Sequence, residues 1–391
     1  MNNTVYLVKC NHYDEVKNKL PELLKKMGGV GRFVKKGETI VLKPNLLLAA
    51  DPERVVSTHP SLISTLGILL HDHQVKAVLA DSPGSGYAYN TRTLKRVYRK
   101  CGMDAAAKAG HLTLNYDTTH NTVSFNQGKL IKKFEVITPV LEAAGVINLC
   151  RLKTHSFMAM SGAVKNNYGV IPGRLKLGYH AALKDPHRFA EMLLDLAAFI
   201  NPRLSIMDAV VGMEGNGPTG GSPRESGYLL ASINQLALDI VAGEIMGLPR
   251  EQNAVLLAAE KRGMTPTCMD DVSIIGEDMN HLRIEDYRLP DTFTSWVGFR
   301  GIPSFLLKML ESLLKQGSSL KPRINREKCI GCGACREACP VQVITIDSQN
   351  KAVIDKRGCI RCYCCHEMCT DEAVILHKGF LYDLLNKQKV I

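Results

Sequence analysis

Nowhere in this chain of 391 residues do about 18 apolar residues run together, the length that a bilayer-spanning helix needs. The start, MNNTVYLVKC, lacks a basic stretch followed by a long apolar one, so no secretory leader is expected. There is no G-x4-G-K-S/T loop, which argues against nucleoside-triphosphate chemistry. No Arg-rich or aromatic-interleaved basic tract of the kind that grips nucleic acid is found, and nucleic acid is not an expected partner. No flavin-binding signature is visible either. A secreted disulfide framework is also missing. Of the 13 cysteines, Cys10, Cys101, Cys150, Cys268 and Cys364 are scattered, and the rest fall in two runs near the C-terminus. So many thiols point to a reducing cytoplasm. A hydrophobic content of 45% is that of a globular protein, and the length suggests about two or three domains.

The two runs are the most specific feature present. CIGCGACREACP places Cys329, Cys332, Cys335 and Cys339 at C-x2-C-x2-C-x3-C, and CIRCYCCHEMCT places Cys359, Cys362, Cys365 and Cys369 at the same spacing. Three thiolates at i, i+3 and i+6 on a tight loop can wrap one face of a cubane, and Gly331 and Gly333 let the backbone pass close to it. The fourth cysteine lies too far along to join its own loop's cluster and ligates the other. The expected sets are therefore Cys329, Cys332, Cys335 and Cys369 for one 4Fe–4S cluster, and Cys359, Cys362, Cys365 and Cys339 for the second. Structural zinc fits poorly, because zinc motifs favour paired C-x2-C with long spacers. Cys364 is expected to be a bystander beside Cys365.

Residues about 323–378 thus resemble the bacterial two-cluster ferredoxin. Thr370 stands where that pattern usually has proline. The formal charge is +11, and two clusters with their thiolates lower it to roughly +7. The excess fits a solvated surface or a site that attracts an anion.

Upstream, strand-like and helical stretches alternate. VYLV precedes a helix around 15–26, ETIVL one near 60–71, VKAVLA one near 92–108 and VINLC one near 156–166. LSIM follows a helix over 188–199. That order predicts an α/β domain, a mostly parallel sheet with flanking helices, over residues 1–290. TVSFNQGKLIKKF, with Gly128 at its bend, reads as an inserted hairpin. Residues 291–322 read as a linker with an amphipathic helix, FLLKMLESLL, that docks the C-terminal module or, with Trp296 and Phe299, rests on a membrane surface. Residues 323–391 form the small α+β ferredoxin-like domain, ending in a helix.

In open parallel sheets, sites lie beyond the carboxyl ends of the strands. Here those ends run into Lys43-Pro44-Asn45, into DSPGSG from Asp81, into RLKTH with Lys153 and His155, and into Asp208 followed by Glu214 and GNGPTG. DSPGSG is either a turn or an anion nest. GNGPTG matches G-x-G-x-x-G, but a loop and a strand follow where a dinucleotide site needs a helix. The stretch 153–173 adds Lys165 and Asn166, with Lys165 sharing a face with His155 if the helix is continuous.

The KPN, DSPG, KTH and VKNNYGVIPG blocks resemble the family catalogued as domain of unknown function family 362, over about residues 1–290. The resemblance implies architecture and the whereabouts of a site, and supplies no reaction. The residues suggest an iron–sulfur oxidoreductase. Lys43, Lys153 and Lys165 would hold an anionic small molecule, with Asn45 and Asn166 beside it. His155 would donate a proton, and Asp81, Asp208 and Glu214 would orient the cations or bind a divalent metal. A flavin is possible, since flavin sites need no signature, but neither it nor a divalent metal is indicated. Electrons would come from a redox partner protein. The alternatives are an electron carrier that docks on a partner enzyme without substrate chemistry of its own, and a scaffold for maturing another metalloprotein.

Overall fold

The computed structural model describes residues 3–277, 282–292 and 320–377. The amphipathic helix expected at 305–314 and the terminal helix lie outside these residues. In chain order the elements of the large domain are β1 (Thr4–Lys9), α1 (Val16–Lys26), β2 (Thr39–Lys43), α2 (Pro60–Asp72), β3 (Lys76–Leu79), α3 (Thr91–Lys100), α4 (Met103–Ala109), β4 (Thr113–Leu114), β5 (His120–Ser124), β6 (Lys133–Ile137), α5 (Thr138–Glu142), β7 (Gly145–His155), β8 (Ala159–Met160), α6 (Gly162–Asn166), α7 (Leu175–Ala182), α8 (Pro186–Ile200), β9 (Leu204–Asn216), β10 (Gly220–Ser232), α9 (Gln235–Ile245), α10 (Ala254–Lys261) and β11 (Ser273–Ile275). The C-terminal module follows with β12 (Lys321–Ile324), α11 (Ala334–Glu337), β13 (Ile344–Ile346), β14 (Ala352–Ile354), α12 (Cys364–Glu367) and β15 (Val374–His377).

One large sheet organises the first domain in the order β11-β1-β10-β9-β7-β2-β3-β4, with β8 paired to β7. Pairings β2–β3, β2–β7, β3–β4, β7–β9 and β1–β11 are parallel, whereas β10 runs antiparallel to both β1 and β9. The mostly parallel α/β architecture is therefore present, with one long antiparallel hairpin, β9–β10, inside it. The central strands are buried on both faces, which suits their Val, Ile and Leu runs. One helix layer seals Leu20, Leu24, Leu62, Leu66, Leu94 and Val97 against the sheet, and the opposite layer does the same with Phe189, Leu193, Leu196 and Val255. β5 and β6 form the inserted hairpin in register His120↔Ile137.

Two details depart from expectation. The helix foreseen over 92–108 breaks at Gly102, which is left-handed with φ 72° and caps α4. The helix foreseen over 156–166 is mostly something else. β7 continues to His155, the chain reverses through β8, and only Gly162–Asn166 is helical. A common helical face for His155 and Lys165 does not exist.

In the module, β12 pairs with β15 and β13 with β14, both antiparallel. Its α+β character follows from the same doubled cysteine loop, each closed by a four-residue helix.

Candidate functional site

A small chamber lies where the module meets the C-terminal ends of β2 and β3. Its lining includes Lys43, Asn45, Asp81, Ser82, Ser161, Lys165, Asn166, Lys176 and His180 from the large domain and Glu367 from the module. The cavity measures about 60 Å³, room for about five water-sized atoms.

The walls are built from paired polar groups. Lys43 Nζ donates to Asp81 Oδ1 at 2.9 Å and to the Pro44 carbonyl at 3.0 Å, while Asp81 Oδ2 accepts from Leu46 N at 2.8 Å. Burial pushes the Lys43 amine down and the Asp81 carboxyl up, each against the attraction of the other. Asn45 links two neighbours, donating to Asn166 Oδ1 and accepting from Lys153 Nζ, both at 2.9 Å. Asn166 in turn donates to Asn148 Oδ1 at 2.7 Å. Lys176 is fully engaged by Ser82 O, Ser82 Oγ and Pro83 O at 2.9–3.0 Å; burial lowers its amine to about 7.

Three groups in the chamber are less fully engaged, Glu367 having only the His155 ring, at 3.3 Å, as an ion-pair partner. The Lys165 amine makes no hydrogen bond or ion pair among the described residues, and burial lowers its proton affinity, opposed by Glu367 and Cys364. His180 stacks on Phe189 at 4.6 Å with its Nδ1 unpartnered; burial, then Lys165 and Lys176, hold it neutral at about 3. Glu367 is 5% exposed with Oε1 lacking a hydrogen bond, and burial raises it to about 7 against Lys165 and Lys153. Buried polar atoms without a hydrogen bond are rare; His180 Nδ1 and Glu367 Oε1 are two of them, and with the half-buried Lys165 amine they mark a place for a polar ligand.

Lys153 and His155 stand behind this wall. Lys153 Nζ also donates to the Val56 carbonyl at 2.8 Å. His155 Nδ1 accepts from Phe157 N at 3.1 Å and Met158 N at 3.3 Å. Its proton therefore sits on Nε2, which faces Glu367 Oε1 at 3.3 Å. Burial first, then Lys165 and Lys153, keeps the ring well below its usual range.

Asp208 and Glu214 are not brought to the chamber. Asp208 is sealed with Arg151 at 3.4 Å, Tyr13 Oη at 3.1 Å and His59 N at 2.9 Å. Glu214 is held by Arg288, Nε to Oε1 at 2.8 Å. With Asp81 taken by Lys43, the three carboxylates do not converge on a shared divalent metal. Among the described residues no three His, Cys, Asp or Glu side chains gather around a single ion.

The cysteines instead surround two voids. One is lined by Cys329, Cys332, Cys335 and Cys369, the other by Cys339, Cys359, Cys362 and Cys365. Four sulfurs around a void, rather than on a point, fit a cubane, and each void takes its fourth sulfur from the opposite run. Cys364 is wholly buried and lines neither.

The glycine-rich loops serve this module. A Cβ on Gly84 would stand 2.9 Å from Met368 Sδ, and one on Gly86 would stand 3.2 Å from Ala338 Cβ. In GNGPTG, Thr219 Oγ1 donates to the His366 carbonyl at 3.4 Å, and His366 Nε2 lies 3.1 Å from the Asn216 carbonyl. DSPGSG also lines the chamber through Asp81, Ser82, Gly84 and Ser85, whereas GNGPTG contributes no residue to it. Sequence reasoning missed Lys176, His180 and Glu367. The last was hidden inside a motif read only for its thiols.

Residues 322–345 match the sequence model of the 4Fe–4S binding domain, so the chain carries an iron–sulfur electron-transfer module. The chain is 35% identical over 277 residues to the thylakoid-associated protein sll1697 of Synechocystis sp., covering 70% of this chain and 82% of that one. The structure of the lactate racemase apoprotein from Thermoanaerobacterium thermosaccharolyticum overlaps with a TM-score of 0.39 and 13% identity. That overlap covers 63% of this chain and 57% of the other. No helix among the described residues is long and apolar enough to cross a membrane. The model of the family described as Domain of unknown function (DUF362) matches residues 40–244, more than half of the sequence, and the chain belongs to that family.

Proposed function

We propose that the chain is a cytoplasmic oxidoreductase, holding two 4Fe–4S clusters and acting on a small anionic molecule seated in the chamber between its two domains. The observation that carries this reading is the position of α12. This short helix bears Cys365 toward the second sulfur-lined void and Glu367 into the chamber. When bound, each cluster supplies a centre that takes up and releases one electron.

The chain's own residues do the rest. Lys165 holds the anionic group of the ligand, since its amine has no competing partner. Lys43–Asp81 and Asn45–Asn166 fix the walls and need no movement to receive it. Glu367 and His180 meet the ligand's polar end. His155 is a positioning residue, its Nε2–H aimed at Glu367, and does not touch the ligand. Lys153 anchors Asn45 from behind. Neither a flavin nor a divalent metal enters this reading. The electrons come from a redox partner.

Anaerobic purification with iron and sulfide analysis tests it, followed by mass spectrometry of what denaturation releases. About eight irons and eight sulfides per chain are expected, with a small acid recovered. Lys165→Ala should keep the iron and weaken ligand binding about 10- to 100-fold, the worth of one charged hydrogen bond. Full iron with no ligand, and no effect of Lys165→Ala, would leave only an electron carrier.

A further inference from the structure

The helix α3 has an unusual division of residues. Leu94, Val97 and Tyr98 are buried against the sheet. Arg92, Lys95, Arg96, Arg99 and Lys100 are all exposed and, with Ala49, Asp51 and Thr91, line a groove of about 690 Å³. Lys100 pairs with Asp51 at 2.8 Å and Lys95 lies over the Tyr116 ring at 5.9 Å. Arg92, Arg96 and Arg99 have no carboxylate partner among the described residues. Concentrating so many like charges on ten residues costs stability unless something of opposite sign meets them.

The groove's edge leads to the module. Asp51 opens the turn 52–54, where Arg54 donates to the Thr370 carbonyl at 3.1 Å and pairs with Glu372 at 3.0 Å. Thr370 adjoins Cys369, a member of the first sulfur set. That set also contains the exposed Cys332, and its Cys369 is half-buried, whereas in the second set only Cys359 is partly exposed. The first set is therefore the more open of the two, on the side where Arg54 joins the groove's edge to Thr370.

We infer that the groove of α3 docks a small acidic electron-carrier protein, which delivers its electron at the Cys369 side of the module. The carrier is oxidised by one electron and the chain reduced by one, and no bond forms or breaks. Opposite charge steers such encounters and speeds them by about 10- to 1,000-fold at low salt. An anionic bilayer would also be drawn to these cations. However, the site is concave, fits a convex protein edge, and leads to the sulfur ligands, which a lipid headgroup has no use for.

The inference rests on the iron–sulfur reading above. It is tested on iron-loaded full-length protein by stopped-flow absorbance, with a reduced acidic two-iron ferredoxin as the probe. Arg96→Glu with Arg99→Glu should lower the second-order rate constant at least about 10-fold, and salt should slow the wild type more than the variant. Dithionite should reduce both at the same rate. Equal rates with the ferredoxin would overturn the inference. So would a variant that loses only binding to phosphatidylglycerol vesicles, which would make the groove a membrane face. Failure of dithionite to bleach either protein sinks the iron–sulfur reading itself and this inference with it.

Discussion

Gly169 shows how little room the chamber's wall has to spare. A Cβ there would stand 2.6 Å from Lys43 Nζ and collide with Asp81. Gly169→Ala is expected to split the Lys43–Asp81 pair and leave two buried charges short of partners, at a cost of about 3 kcal/mol or more. Urea denaturation followed by circular dichroism measures this; an unchanged midpoint would mean that the pair tolerates displacement. At this scale the sequence is uneven in what it reveals. The cysteines are legible because a cubane dictates their spacing. Lys43, Asn45, Asp81, Lys165 and Asn166 are legible as polar residues just beyond apolar runs. Asp208 looks the same in sequence but is consumed by Arg151 and Tyr13, since residue type does not announce its partner.

Among elements, α6 is short for the work it does, carrying both Lys165 and Asn166. Its start is held from α9. Asp239 accepts from Ala163 N and, at 3.1 Å, from Val164 N. Burial raises that carboxyl to about 7, well above its unfolded value. The folded chain then binds the extra proton between about pH 4 and 7, so this residue's contribution is full in acid and fades as pH rises through 7. Compared with Asp239→Asn, the wild type should lose stability over that window by up to about 1.4 kcal/mol per pH unit. Paired denaturation curves from pH 5 to 8 read the difference, and a flat one refutes the assignment. The strand β7 was harder to see in sequence. Arg151, Lys153 and His155 look like a strand's polar exit, yet they remain in the strand. Their charges and ring are met by carbonyls such as Ser57 O and Val56 O, by Asn45 and by the Phe157 and Met158 amides. These contacts come largely from a loop about a hundred residues earlier, and no local pattern reports them.

For the whole molecule, alternation of strand and helix was enough to reveal the α/β class. It did not reveal β10 running antiparallel between β1 and β9, because edge-to-centre order depends on long-range pairing. The module's crossed sulfur sets make a prediction of their own. Cys332→Ser with Cys369→Ser should remove one set and leave about four irons per chain, although the two residues belong to different runs. Cys332→Ser with Cys339→Ser, both in one run, should damage both sets and leave almost none. Iron analysis after anaerobic reconstitution distinguishes them, and the reverse result would mean that each run serves itself.

Because Glu367 projects from the same short helix as Cys365, the chamber's last wall is set only when the cysteine loops close. On the function proposed above, a cell starved of iron would then produce chains that retain an anionic ligand poorly, however abundant that ligand became. Metal supply would govern occupancy of a pocket that no metal touches.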